Sequence, residues 1–437
     1  MRERPDDQRV VITGMGAYTP IGNSVDGSLA ALAAGEHGIR YMPEWDMITD
    51  LHCRVGATVD GVDPTALFTR KQRRPMGKVA ALAVLAAQQA VAQAGLDEAT
   101  LRSGRTGVAF GSTSGSGSET EAFSKPLALN LNMKGLESNA YFRLMTHTCA
   151  VNVAHFFKVQ GRVESTCTAC TSSSQAIGAA VEIIRAGAQD VMLAGGAEEM
   201  HYTTAVTFDL LMATSARHNA DPAATPRPFD RARDGLVIGE GAGAVVLESY
   251  GHATKRGADI LGEVLGYASN CDGAHLTAPN AHGMQRVMEL SLGDAGLAAA
   301  AIEYVNAHAT GTELGDVAES QATHAIFGGD TPVSSLKGYV GHTLGACGAI
   351  ELAWTLGALR EGWLPPCRNL EAPDPKCAPL DYVRERRETD ARVAMTNNFA
   401  FGGINTSIIV RAARRMPSLV STSGSYPRSV RALAIEK

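Results

Sequence analysis

The chain has 437 residues, 45% of them hydrophobic and 19% charged, and carries a net charge of −6. That length exceeds one ordinary core and calls for two domains or two fused halves, and the composition excludes a disordered chain. The negative balance argues against nucleic acid as the main partner, because phosphate binding normally needs a basic surplus.

Eight cysteines are scattered through apolar or small-residue contexts, which is not the pattern of a short, secreted disulfide scaffold. Only Cys167 and Cys170 have CxxC spacing. With no second CxxC and no nearby HxxxH, no metal site is expected. The charged N-terminus, MRERPDD, does not read as a signal peptide, and the expected compartment is the cytoplasm.

Residues 9–14 (RVVITG) predict a strand buried on both faces. Residues 26–34 read as a helix. A stronger helix spans 78–95, with Gly95 placed to end it. Its apolar stretch, 79–96, is broken by Gln88, Gln89 and Gln93, so it predicts a buried helix rather than a membrane span. A short strand follows at 107–111. Residues 112–143 are Ser/Gly-rich, then irregular, and read as an excursion from the core. Residues 162–166 lead into the CTAC turn, with a helix at 172–186, strands at 190–195 and 242–248, and a helix at 252–257.

The second part keeps this rhythm. Strands are expected at 262–267 and 304–306, helices at 283–296 and 316–326, and an extended segment at 332–334. A helix at 345–359 and strands at 394–397 and 406–411 complete it. Alternating strands and helices give an α/β class with mainly buried sheets. The expected division is 1–255, 256–412 and a loosely ordered Ser/Arg/Pro-rich tail, 413–437. No sequence repeat is evident, although each half places a reactive residue at a strand-to-helix turn.

Cys170 lies in TACTSSSQAIGAAVEII, at the junction with a predicted helix. Free N–H groups and partial positive charge there favour a thiolate and suit an oxyanion. The plain alternative is a small buried core cysteine. His308 (VNAHATGT) follows a short buried strand, and His342 (GYVGHTLGACGA) lies between glycines that allow close backbone approach. Alone, either histidine reads equally as a hydrogen-bonded structural residue. Lys337 occupies an apolar, small-residue run where a solvated lysine is out of place. The segment NNFAFGGIN, 397–405, forms a turn whose amides can face a ligand. Gly239, Gly241 and Gly243 do not make GxGxxG and lead into a strand, which argues against a dinucleotide site. Thr171 to Ser174 lack the GxSxG elbow of hydrolases.

In order, VVITGMG, TAC, PFDRARDG, GEGAGAVVLE, NAHATGT, SSLKGYVGHTLGACGA and NNFAFGGIN resemble the β-ketoacyl-acyl-carrier-protein synthases of type II fatty acid and polyketide synthesis. The resemblance runs from Arg9 to about Arg411. It implies a five-layered α-β-α-β-α thiolase-like fold of two similar halves. It places the nucleophile on Cys170, the decarboxylation pair on His308 and His342, and the active-site lysine on Lys337. It also places the gate on Phe401 with Phe399 beside it, and structural support on Glu319, Thr310 and Thr312. The basic run Arg70, Lys71, Arg73, Arg74 and Lys78 corresponds to a docking patch for acyl carrier protein, with a solvated helix face as the alternative. Ala309 departs from the glycine usual after the first histidine. No cofactor is implied, since substrates arrive on the carrier's phosphopantetheine. The implied assembly is a homodimer or a heterodimer with a chain-length-factor subunit, with no nucleic-acid or membrane partner. Rival readings are an inactive chain-length factor and a thiolase. Segments 40–46, 315–323 and 397–409 most resemble ketosynthases of aryl polyene pathways.

Overall fold

The computed structural model describes residues 4–414. Ten strands carry the architecture. Five belong to the first half: β1 (Val10–Tyr18), β2 (Thr106–Gly111), β3 (Val163–Thr166), β4 (Val191–Glu198) and β5 (Gly241–Ser249). The second half supplies β6 (Gly262–Cys271), β7 (Tyr304–Asn306), β8 (Pro332–Ser334), β9 (Val393–Ala400) and β10 (Ile404–Ala412). Their main helices are α1 (Lys78–Ala94), α2 (Thr148–Phe157), α3 (Ser172–Arg185), α4 (Ala281–Ala295), α5 (Glu313–Phe327) and α6 (Cys347–Glu361).

Both halves therefore run β-α-β-α-β-α-β-β. Across the sheet the first half orders its strands β3-β2-β4-β5-β1 and the second β8-β7-β9-β10-β6. In each, the last strand in sequence is the antiparallel one, β5 between β4 and β1 and β10 between β9 and β6. The repeat that sequence identity does not display is thus present in connectivity and register. A short antiparallel pairing of Val10–Ile12 with Val264–Gly262 joins the halves.

Five layers result. Helix α1 lies across β1, β5 and β4 with α2 beside it, and α4 lies across β6 and β10 with α5 beside it. Between the half-sheets, α3 touches β2 and β4 on one side and β6 and β10 on the other, while α6 spans β5, β9 and β10. A layer touched by sheets on both sides must be apolar or small all round. Accordingly, α6 buries 13 consecutive residues, Cys347 to Leu359.

Helix α1 shows how residue size sets the spacing. A Cβ on Gly14 would stand 2.0 Å from the Ala90 carbonyl oxygen, and one on Gly16 2.0 Å from that of Ala86. Glycine on the strand and alanine on the helix let the two backbones touch, which explains both the Ala-rich helix and the glycines of VITGMG. Gly95 ends α1 at φ +64°. Among the described residues, no helix is long and apolar enough to cross a membrane.

Two stretches differ from expectation. Residues 112–143 are substantially helical, with helices at Gly117–Asn130 and Ala140–Leu144. Ser116 caps the first of these through the N–H of Glu119, a signal outweighed in the sequence by neighbouring glycines. Helix α2 was not anticipated either. It buries Cys149, Ala150 and Val153 against α1 and β2. The described part of the expected tail reaches only Arg414, and the rest lies outside the described residues.

Candidate active site

Equivalent turns of the two halves deliver the reactive groups. After β3 the chain makes a single 3-10 turn, Ala169–Thr171, and enters α3. Ala169 sits at φ +49°, a left-handed conformation that costs an alanine energy and aims Cys170 out of the turn. Ser172 ties the elbow together, accepting from the Thr168 N–H at 2.9 Å and donating to the Ala169 carbonyl at 2.7 Å. After β8, the turn Lys337–Val340 places Lys337 and then His342 ahead of α6. The His342 backbone is fixed on both sides, donating to Val237 O at 2.7 Å and accepting from Gly239 N at 2.9 Å. The GEGAG segment therefore anchors a histidine rather than a dinucleotide.

His308 follows β7, and Glu319 on α5 holds its loop by accepting the N–H groups of His308 and Ala309 at 2.7 and 2.6 Å. Burial pushes the Glu319 carboxyl up to about 8, against the pull of those two N–H groups. Asp316 braces the next turn, accepting from Gly311 at 3.1 Å and Phe229 at 2.7 Å.

These turns bring together residues far apart in sequence. His342 Nε2 is 2.9 Å from Cys170 Sγ. The His308 and His342 rings meet edge to face at 5.0 Å. One sulfur and one nitrogen from each ring lie within 4.8 Å of one another, all buried. They face a cavity of about 420 Å³ that Phe399, Phe401, Thr310 and Thr312 also line. The two threonine hydroxyls are 3.2 Å apart. Phe399 packs edge-on to His308 at 6.2 Å, and Phe401 stacks on Phe208 at 5.9 Å.

The expectation of a thiolate at the helix start is not met in the resting site. Burial, the largest influence, pushes the Cys170 thiol up to about 12, and Lys337 only partly offsets it. Burial first, and then the Lys337 charge, hold both His308 and His342 well below the ordinary imidazole value. The resting pair is a thiol beside a neutral imidazole. Alkylation of Cys170 by iodoacetamide is thus expected to rise about tenfold per pH unit between 7 and 9, tracking the thiolate fraction. A plateau beginning below pH 7 would instead reveal a preformed thiolate–imidazolium pair.

Lys337 is almost wholly buried and pairs with Glu351 on α6 at 2.5 Å. Burial is the largest influence and disfavours the charge, but Glu351 together with Cys347 and Glu319 more than offsets it and keeps the ammonium charged. Glu351 also accepts from Asn398 at 2.9 Å and Asn306 at 3.5 Å. Removing one partner of such a pair strands a buried charge. Lys337→Met is expected to cost about 3–5 kcal/mol of stability, read by urea unfolding, and a loss below about 1 kcal/mol would show the pair is not charged.

The basic run divides. Arg70, Lys71, Arg73 and Arg74 are exposed on and beside a one-turn helix, Arg70–Arg73. Lys78 turns away from them to the fully buried Glu240, at 2.6 and 2.9 Å. Its ammonium neutralises a core carboxylate while its side chain stays 40% exposed. Sequence reasoning missed Asn398, Glu351, Cys347 and Phe208, none of which carries a local signal; Glu351 is recognisable only once α6 faces Lys337.

The chain is similar to known proteins over most of its length. The β-ketoacyl synthase N-terminal domain matches residues 7–253 and its C-terminal domain residues 261–371. The 3-oxoacyl-[acyl-carrier-protein] synthase 1 of Haemophilus influenzae is 36% identical over 406 residues, covering 92% of this chain and 99% of that protein. A β-ketoacyl synthase structure from Burkholderia phymatum is 52% identical with a TM-score of 0.90, covering 93% of this chain and 100% of that one. The ishigamide ketosynthase/chain length factor is 31% identical with a TM-score of 0.86, covering 93% and 99%. The chain belongs to the β-ketoacyl synthase family, the condensing enzymes of fatty acid and polyketide synthesis.

Proposed function

We propose that the chain extends an acyl group held on Cys170 by decarboxylative condensation with a malonyl group, both delivered by acyl carrier protein. The observation that carries this reading is the 2.9 Å contact of Cys170 Sγ with His342 Nε2, with His308 beside it on the same cavity. In the first step the thiol proton passes to His342 as sulfur attacks the carrier thioester carbon. The carrier thiolate leaves and takes the proton. In the second, neutral His308 and His342 donate Nε2–H to the malonyl thioester carbonyl. The bond to the carboxylate breaks, carbon dioxide departs, and its electron pair becomes the enolate. That carbanion attacks acyl-Cys170, whose oxyanion is received by the N–H groups of Cys170 and Phe401. Collapse expels the Cys170 thiolate, which takes up one proton from solvent, and the β-ketoacyl chain leaves on the carrier. These residues supply every step without a resident cofactor.

Arg70, Lys71, Arg73 and Arg74 form the docking face for the acidic carrier. Reversing two of these charges is expected to raise KM for carrier-bound substrates about tenfold at low salt while kcat holds, because exposed charges act on encounter. An unchanged KM would discard the patch. The setting is cytosolic, and the chain works as a dimer, with itself or with a chain-length-factor subunit of the kind named for the ishigamide relative.

The stacked Phe208 and Phe401 rings form a flat apolar wall near Cys170, which favours planar aryl or polyene thioesters over saturated chains. Condensation assays with malonyl-carrier and either donor test both readings. Product from the aryl-enoyl donor supports the planar substrate, product from saturated donors alone supports fatty acid elongation, and none from either, with or without a partner subunit, rejects condensation.

A further inference from the structure

The two active-site histidines are not held alike. His342 Nδ1 is buried with no hydrogen-bond partner among the described residues, so no group at Nδ1 holds its tautomer, and its Nε2 faces only the Cys170 thiol, which is itself spent in the first step. That freedom suits a group that must accept a proton from Cys170 at Nε2 in one step and donate from Nε2 in another. His308 Nδ1, by contrast, faces the side-chain amide nitrogen of Asn398 at 3.5 Å. Asn398 sits near the end of β9 and is 1% exposed.

The orientation of that amide is over-determined. Its nitrogen also donates to Glu351 at 2.9 Å, and Glu351 is paired with Lys337. It reaches Cys347 Sγ at 3.4 Å, and that thiol in turn donates to the Cys170 carbonyl at 3.2 Å. On the other side, the Ser174 hydroxyl donates to the Asn398 oxygen. Flipping the amide would set its oxygen against a carboxylate oxygen. The helix approaches closely enough to lock this arrangement: a Cβ on Gly348 would lie 1.9 Å from Ser174 Oγ and 2.7 Å from Asn398 Oδ1.

We infer that Asn398 is a positioning residue that sets the tautomer of His308. Facing a donor, Nδ1 must be the acceptor, so the ring proton sits on Nε2 and points at the substrate. His308 is then a standing donor for the malonyl thioester carbonyl, while His342 interconverts. Through Glu351 and Cys347, the same amide ties this donor to the Lys337 pair and to the backbone of the nucleophile. The inference rests on the condensation reading for its catalytic consequence, but the tautomer itself does not.

The test uses the full chain and three readouts. Imidazole nitrogen NMR of the wild type is expected to show His308 protonated at Nε2; protonation at Nδ1 overturns the inference whatever the enzyme does. Asn398→Leu removes the donor, and Asn398→Asp replaces it with an acceptor that holds a proton on Nδ1 and empties Nε2. Decarboxylation of malonyl-carrier, followed as released carbon dioxide, is expected to fall several-fold in Asn398→Leu and at least about tenfold further in Asn398→Asp. Acylation of Cys170, followed by mass, should fall less than threefold in both and so reports folding. A structural role, including repulsion of the new carboxylate from Glu351, predicts equal loss of both half-reactions in Asn398→Asp, and that equal loss, or a larger decarboxylation defect in Asn398→Leu than in Asn398→Asp, overturns the proposal. A wild type that does not decarboxylate malonyl-carrier would count against the condensation reading, while leaving the NMR result to decide the tautomer.

Discussion

Cys170→Ala is expected to abolish acyl-enzyme formation and to reduce condensation by at least about four orders of magnitude, because the covalent step has no substitute nucleophile. Cys347 is the nearest other thiol, but its sulfur is aimed at the Cys170 carbonyl and burial raises its pKa well above the ordinary thiol value. The variant should keep its fold, since alanine preserves the Cβ and loses one contact to His342. It should also keep measurable malonyl-carrier decarboxylation, because both imidazoles and the Lys337 pair remain. Carbon dioxide release without condensation product is the signature to look for. Acyl transfer at the wild-type rate would place the nucleophile elsewhere.

His308→Ala is expected to show the complementary defect. Its ring supplies one of the two donors to the enolate, and losing one such donor typically costs about 10²–10³ in rate. The Cys170–His342 contact does not pass through His308, so acylation should fall by less than tenfold. Parallel stopped-flow measurement of the two half-reactions checks this. A variant that loses both equally would show that His308 holds the site together rather than serving the second step. Its edge-to-face packing against His342 and Phe399 makes that alternative concrete, and the half-reactions separate the two.

The order of strands and helices was legible in the sequence because both strand and helix periodicities survive around it. RVVITG became β1, the 78–95 run became α1 with its glycine cap, and the strand before His308 has the expected bounds. The helices of 112–143 were hidden because serine and glycine mask a cap that only the folded chain reveals. The twofold that the resemblance implies shows no residue repeat because it lives in connectivity: β3 and β8 play the same part with VEST and PVS, segments that share no residue pattern.

The reactive residues were legible individually, each at a strand-to-helix turn, and as an ordered set of motifs. Their juxtaposition was not, since Cys170 and His342 stand 172 residues apart in the chain, on turns of different halves that only the folded structure brings together. Charge state was the least accessible property. A helix start argued for a thiolate, but complete burial dominates that local field and leaves a thiol. The pairing of Lys78 with the buried Glu240 was likewise hidden until the approach to β5 placed that carboxylate beside it. The supporting cast, Asn398, Glu351 and Cys347, is polar or small in sequence and acquires meaning only from α6 lying against β9.

The central claim is that Cys170 receives an acyl group from a carrier protein. Intact-mass analysis after incubation with acyl-carrier donors, saturated and aryl-enoyl, tests it most directly, with peptide mapping to locate the adduct. The account predicts one acyl mass added per chain, mapped to Cys170 and absent in Cys170→Ala. An adduct on another residue, or none from any donor with or without a partner subunit, would contradict it.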